Sequence, residues 1–236
     1  MTHMQVYDAN TDTWTRQPTV LSTPRWSASA VVINDKLYIV GGRESKPLRP
    51  SVETFCINSE TGHCSQYKGQ RVPPPKNPRW FQSIATRGAE IFVLGGFDDN
   101  GKDLRSVEAL HTTKFIRYDM PPMQQSRSFT SAVLFNDCLV AIGGHSEGTN
   151  LCSVESYSFE TRSWSYLPCM NIAREGHSSC VFDGLLYAVG GKGTNSIDIF
   201  DSINMAWTLL KTSWKIERCW STFQLDHLTL QVLKTL

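Results

Sequence analysis

Four arginines of this chain stand at one fixed distance from four glycine pairs. Arg25, Arg79, Arg127 and Arg174 each lie sixteen residues before the first glycine of Gly41-Gly42, Gly95-Gly96, Gly143-Gly144 and Gly190-Gly191. A guanidinium offers a rigid fork of donors that matches a carboxylate, and two of these arginines are followed at once by a tryptophan, Trp26 and Trp80. Arginine beside aromatic rings is the composition that dominates protein interfaces. Acids recur in register as well, Glu53, Glu108, Glu155 and Asp198 in SVE, SVE, SVE and SID. The arginines therefore have two readings, as a rim that grips a carboxylate-bearing peptide or as internal ion pairs that serve packing. Spacing alone leaves both open.

Catalytic chemistry finds little support. The six histidines, His3, His63, His111, His145, His177 and His227, are scattered, and no HxH, HExxH or CxxC spacing occurs. Cys56, His63 and Cys64 are close in sequence but lack a fourth ligand for zinc. There is no GxSxG elbow and no phosphate loop. The expectation is a protein that is not an enzyme and that needs no cofactor or metal.

The elements that must carry these residues are strands. Each glycine pair ends an apolar run, LYIV, IFVL, LVAI or LYAV, and the first glycines are 54, 48 and 47 residues apart. In the first copy SASAVVI and KLYIV flank Asn34-Asp35, which reads as two strands joined by a tight hairpin. Runs such as SVESYSF and RSWSYL supply two more strands per copy. A four-stranded sheet cannot bury both of its faces alone, so neighbouring copies must stack, and radial stacking gives an all-β propeller.

These features resemble the Kelch repeat, a glycine pair followed by a tyrosine and later a tryptophan. Gly143-Gly144, Tyr157 and Trp164 match it in one copy, and Gly190-Gly191, Phe200 and Trp207 in the next. The first two copies are degenerate, with Phe55 and Cys64, then Leu110 and Phe115, in place of the tyrosine and tryptophan. The resemblance covers nearly the whole chain. It implies a Kelch β-propeller of four complete four-stranded blades. Tyr7 and Trp14 have the spacing of Tyr157 and Trp164, so the N-terminal residues read as third and fourth strands. WSTFQL and LTLQVL, after Arg218, read as first and second strands. Together they form a composite fifth blade, or else the chain is a piece of a larger, six-bladed ring.

The totals bound the class. With 40% hydrophobic and 19% charged residues and a net charge of +1, the chain has an ordinary globular composition and no bulk attraction to nucleic acid. Its start lacks the pattern of a signal peptide, and no run is long enough to span a membrane. The seven cysteines are irregularly spaced and several fall inside strands, which favours reduced thiols. A cytoplasmic or nuclear location is expected, with residues 1–236 forming one propeller domain and no BTB or BACK domain.

In Kelch propellers the loops after the second strand and those between blades gather on one face and hold the partner. Carried onto this chain, the resemblance places there Arg25, Trp26, Arg43, Arg49, Arg79, Trp80, Phe97, Arg105, Arg127, His145, Arg174, His177 and Lys192. Eleven basic residues against six acids make the expected rim net positive, which suggests an acidic peptide as partner. Arg43, Arg49, Phe97, Arg105 and His145 break the repeat and are the stronger candidates for specificity. Trp26, Trp80 and Trp220 either line this face or fill gaps between blades, whereas Trp14, Trp164 and Trp207 sit at the phased Kelch position and are expected to pack. The proline-rich segment 65–78 reads as a stiff spacer outside the ring.

Function follows from the resemblance only as an expectation. Kelch-like adaptors are substrate receptors of cullin-RING ubiquitin ligases, and they recruit the ligase through BTB and BACK domains ahead of the propeller. This chain would reach that machinery only through a missing domain or another subunit. Some Kelch proteins bind actin, which gives a cytoskeletal alternative. The copper oxidases of Kelch-like architecture need two histidines, two tyrosines and a crosslinked cysteine, a set that nothing here picks out.

Overall fold

The structure is a computed structural model describing residues 3–9, 11–43, 49–58 and 60–211. Its β-strands build four antiparallel four-stranded sheets in chain order. Blade I comprises β3 (Ser29–Ile33), β4 (Lys36–Val40), β5 (Val52–Ile57) and β6 (Cys64–Gln66), preceded by the hairpin β1 (His3–Asp8) and β2 (Thr13–Val20). Blade II is β7 (Ser83–Arg87), β8 (Glu90–Leu94), β9 (Val107–His111) and β10 (Ile116–Met120). Blade III holds β11 (Ser131–Phe135), β12 (Cys138–Ile142), β15 (Val154–Ser158) and β16 (Ser163–Leu167), with a small hairpin β13 (His145–Ser146) and β14 (Thr149–Asn150) inside its loop. Blade IV is β17 (Ser178–Phe182), β18 (Leu185–Val189), β19 (Ser196–Asp201) and β20 (Ala206–Lys211).

The first hairpins of blades I and IV turn at Asn34-Asp35 and Asp183-Gly184, as the sequence predicts, and blade III turns at the equivalent Asn136-Asp137. Asn34-Asp35 and Asn136-Asp137 both take left-handed conformations, as does Asp183-Gly184, which is the backbone a two-residue hairpin needs. Side chains of the second strands then alternate between two neighbours. In β8, Ile91 and Val93 join Val40, Tyr38 and Ile33 of blade I, while Phe92 and Leu94 join Leu139, Ala141 and Tyr157 of blade III. Val140 and Ile142 of β12 face the other way, onto Leu186, Ala188 and Phe200 of blade IV. Both faces of the strand are buried, which is why IFVL and LVAI are unbroken apolar runs. The cores lie between blades rather than within them.

Trp164 and Trp207 close this packing from the outer strands. They face Tyr157 and Phe200 across the ladder and donate their indole N–H groups to the carbonyls of Pro121 and Pro168 at 2.8 Å. Two assignments in the degenerate copies shift. The residue opposite Phe55 is Gln66 rather than Cys64, and Arg117 rather than Phe115 stands opposite Leu110. Cys64 instead pairs with Ile57, and Phe115 sits in the turn with a left-handed backbone, because the blade I and II hairpins are not cut at the point the phase suggested. Trp14 is a further correction. It faces Tyr7 in the expected register, but is 67% exposed, and its ring contact among the described residues is with Tyr7 of its own hairpin.

The β1–β2 hairpin docks beside blade I, where the Gln17 side chain accepts the Cys64 amide at 3.1 Å. The expected first and second strands of a fifth blade, with Arg218 and Trp220, lie outside the described residues. In segment 65–78, Val72 and Pro75 are buried, so the stretch is anchored between blades I and II. No helix among the described residues is long and apolar enough to cross a membrane.

Candidate functional site

The phased arginines turn inward. Arg79, Arg127 and Arg174 are almost wholly buried and Arg25 nearly so. In all four blades the guanidinium donates to the carbonyl of the first glycine of the pair, at 3.1, 3.3, 2.8 and 2.6 Å. It also donates to the acid of the same blade, Arg25 to Glu53, Arg79 to Glu108, Arg127 to Glu155 and Arg174 to Asp198. Each acid takes a second donor, the backbone amide three residues before the arginine: Ser22, Lys76, Gln124 and Asn171. The result is a clasp that ties the incoming connection to the third strand. Burial lowers the pKa of Arg79 and Arg127, and the facing Glu108 and Glu155 oppose that fall. Of the two readings, packing is the one realised, so Arg25, Arg79, Arg127 and Arg174 leave the candidate surface.

The glycines are demanded by the next blade. The amides of Gly42, Gly96 and Gly144 donate to the carbonyls of Arg79, Arg127 and Arg174. A Cβ on Gly41, Gly95 or Gly143 would collide with those same carbonyls. Arginine and glycine pair are thus two halves of one blade-to-blade joint.

His177 is also removed from the surface. It is buried beside Gly143, neither ring nitrogen has a hydrogen-bond partner among the described residues, and desolvation, with Arg174 and Arg127 nearby, pushes its pKa down to about 3.

What the clasps leave outside is a row of varied side chains. The residue after each arginine pairs, backbone to backbone, with the residue after each glycine pair: Trp26 with Arg43, Trp80 with Phe97, and Ser128 with His145. In blade IV the Lys192 amide donates to the Glu175 carbonyl, and their side chains form an ion pair at 2.6 Å. One position further on, Ser27, Phe81, Phe129 and Gly176 all have positive φ. Their backbones make a ladder from blade to blade, Phe81 amide to Ser27 carbonyl, Phe129 to Phe81 and Gly176 to Phe129.

This geometry assembles a continuous aromatic ledge. Trp26 meets Trp80 edge-on with centroids 5.0 Å apart, Trp80 lies 5.2 Å from Phe97 and 4.9 Å from Phe81, and Phe81 lies 3.8 Å from Phe129. The His145 ring adjoins Phe97 and Phe129. Arg43 lies over Trp80 at 4.8 Å and Trp26 at 5.7 Å, a cation–π arrangement. Trp26 is half exposed and Trp80, Phe81, Phe97, Phe129 and His145 are partly so. At the far edge Asp103 accepts the Ser128 hydroxyl and the Glu147 amide and lies 3.6 Å from His145 Nδ1.

Of the sequence candidates, Trp26, Arg43, Trp80, Phe97 and His145 are brought together here. Lys192 stands at the equivalent place in blade IV, tied to Glu175, and Arg49 and Arg105 are exposed on the flanking loops. Phe81 and Phe129 belong to segments expected on this face, PRWF (78–81) and RSF (127–129), but neither ring is singled out among the candidates. The signal that singles them out is their column, shared with Ser27 and Gly176, in which a large ring has no structural reason to stand. The charge expectation changes as well. Among the described residues the rim keeps Arg43, Arg49, Lys102, Arg105 and Lys192 against Asp98, Asp99, Asp103, Glu147 and Glu175. Five cations meet five acids, so the ledge, not net charge, distinguishes this face; Glu44, Lys46 and Arg218 lie outside the described residues. Those residues hold no cluster of three or more histidine, cysteine or acidic side chains that could bind a metal, and Cys56, His63 and Cys64 make none.

Comparison with known proteins fits this architecture. A family profile described as the KLHDC2/KLHL20/DRC7 Kelch-repeats domain matches residues 27–226. Kelch repeat and BTB domain-containing protein 2 of cowpox virus is 30% identical over 148 residues, covering 53% of this chain and 26% of that protein. Kelch-like protein 26 of Danio rerio is 25% identical over 191 residues, covering 78% of this chain and 30% of its own length. The chain thus spans about a quarter to a third of these curated relatives. A solved structure titled "Structure of YjhT" superposes with a TM-score of 0.71 over 89% of this chain and 75% of that one, at 13% identity, a likeness of fold. With four blades locked by the same arginine–glycine joint and a family match over most of its length, the chain belongs to the Kelch-repeat propeller family.

Proposed function

We propose that this chain is a protein-interaction module that holds a peptide segment of a partner on the ledge formed by Trp26, Arg43, Trp80, Phe81, Phe97, Phe129 and His145. The observation that carries this is the ledge itself. Five aromatic rings share one exposed face, and contiguous exposed apolar surface on a globular protein marks an interaction site. An acidic residue of the partner would find Arg43 and Arg49 at the blade I end. In a longer protein this module would serve as the substrate-recognition part of a cullin-RING ubiquitin ligase adaptor, a reading supported by the BTB and Kelch-like names of its relatives. A cytoplasmic or nuclear setting accompanies that role.

The test is site-specific photo-crosslinking in cells, with the crosslinker at position 97 on the ledge or at position 203, an exposed turn at the opposite end of blade IV. Partners captured from 97 and not from 203 support the reading. The same partners from both positions, or capture from 203 alone, would sink it.

A further inference from the structure

We infer that the ledge recognises a proline-rich segment in an extended polyproline II conformation, an inference that rests on the ledge being the peptide-binding face. The main chain at the ledge excludes recognition by strand addition. The amides of Trp26 and Arg43 are paired with each other's residues, as are those of Trp80 and Phe97, and the amides of Phe81 and Phe129 are used in the blade-to-blade ladder. A peptide strand laid here would find no amide edge to pair with, and its own amides would lose water without gaining a partner. Proline has no amide proton to satisfy, and a polyproline helix is already extended before binding.

The rings exclude a second class. Trp80, Phe81, Phe97 and Phe129 pack against one another at centroid distances of 3.8 to 6.4 Å, so they form a surface rather than a cage. Among the described residues, the one cation on them is the chain's own Arg43. A ligand ammonium would have to compete with that side chain, whereas pyrrolidine rings lie flat on exposed aromatic ridges.

Trp26 supplies the polar half of such recognition. Its ring is half exposed, and its indole N–H meets no acceptor among the described residues, unlike that of Trp80, which points to the Asp98 carbonyl. It is free to donate to a peptide carbonyl, the group a polyproline helix leaves unpaired. Charge also gives the ligand a direction. Arg43 lies over the Trp26 end, while the Asp103 carboxylate stands at the other end, 3.6 Å from His145 Nδ1. An acidic residue beside the prolines belongs at the first end and a basic one at the second.

A random peptide library displayed on phage, selected on the purified chain and counter-selected on a Trp80→Ala/Phe129→Gly variant, tests this. The expected binders are enriched in paired prolines, lose binding to the variant, and bind Trp26→Phe about fivefold more weakly, the loss of one hydrogen bond. Binders that need the ledge but carry no proline enrichment overturn this inference and leave the interaction face standing. Binders indifferent to the variant overturn both. Circular dichroism of each variant confirms that the propeller is intact.

Discussion

The Arg127 carbonyl accepts the Gly96 amide at 2.8 Å and occupies the space where a Cβ on Gly95 would stand. One atom thus fastens blade III to blade II and forbids a side chain on the glycine beside the bond.

Gly95→Ala should therefore be much more damaging than Gly101→Ala. Both glycines have positive φ, but a Cβ at 101 meets nothing within 4 Å. The second change carries only the left-handed penalty of about 1 kcal/mol, while the first must also push blade III away. Urea denaturation of the two variants measures the difference. Equal losses would show that the joint yields freely.

Arg127→Met should cost about 3–5 kcal/mol, because it strands the Glu155 carboxylate in the interior. Arg127→Lys should recover little of this. The guanidinium reaches Gly143, Ser153 and Glu155 from three nitrogens, a fork that a single ammonium cannot reproduce. Full recovery of the unfolding free energy by lysine would contradict the clasp.

The phase of these arginines was plain in the sequence, and so were the blades, because hairpin turns and apolar runs recur at near-constant spacing. Their direction was not. A fixed offset is produced equally by a repeated joint and by a repeated rim, and only the short distances from Arg25 to Glu53 and from Arg174 to Asp198 decide between them. Arg43, Phe97 and His145 were legible for the opposite reason, as departures from the repeat. Phe81 and Phe129 were legible only as members of segments on that face, since their left-handed backbone is invisible until the ladder that enforces it is seen. Trp14 misled because its phase matches that of Trp164 while its surroundings do not.

At positions 81 and 129 the usual order of alanine over glycine should reverse. A bulky residue with positive φ is strained by about 1–3 kcal/mol, and Phe129 stands at φ 49. Phe129→Ala loses the ring and keeps the strain, whereas Phe129→Gly loses both. The glycine variant should be the more stable by about 1 kcal/mol, with ligand binding lost equally in both. A more stable alanine variant would mean that the backbone there is not under load.

Acid should weaken the fold through His177. Its pKa is about 3 when buried and 6.5 in an open chain, so below pH 6.5 the unfolded state takes up a proton that the folded state refuses. Stability falls as pH drops through that window, by about 1.4 kcal/mol per pH unit from this group, and is insensitive to it above pH 7. Between pH 7.5 and 5 the wild-type chain should lose about 2 kcal/mol more than His177→Gln does. Parallel losses in urea titrations at the two pH values would show that His177 is not held neutral.

Because the blades are fastened by backbone groups and by buried arginines, the side chains of the two residues that flank each joint take no part in the clasps: an aromatic with a cation in blade I, two aromatics in blade II, a hydroxyl with an imidazole in blade III, an ion pair in blade IV. The face is therefore a rewritable panel, on which new binding preferences can be drawn two positions at a time while the hinge-work beneath stays as it is.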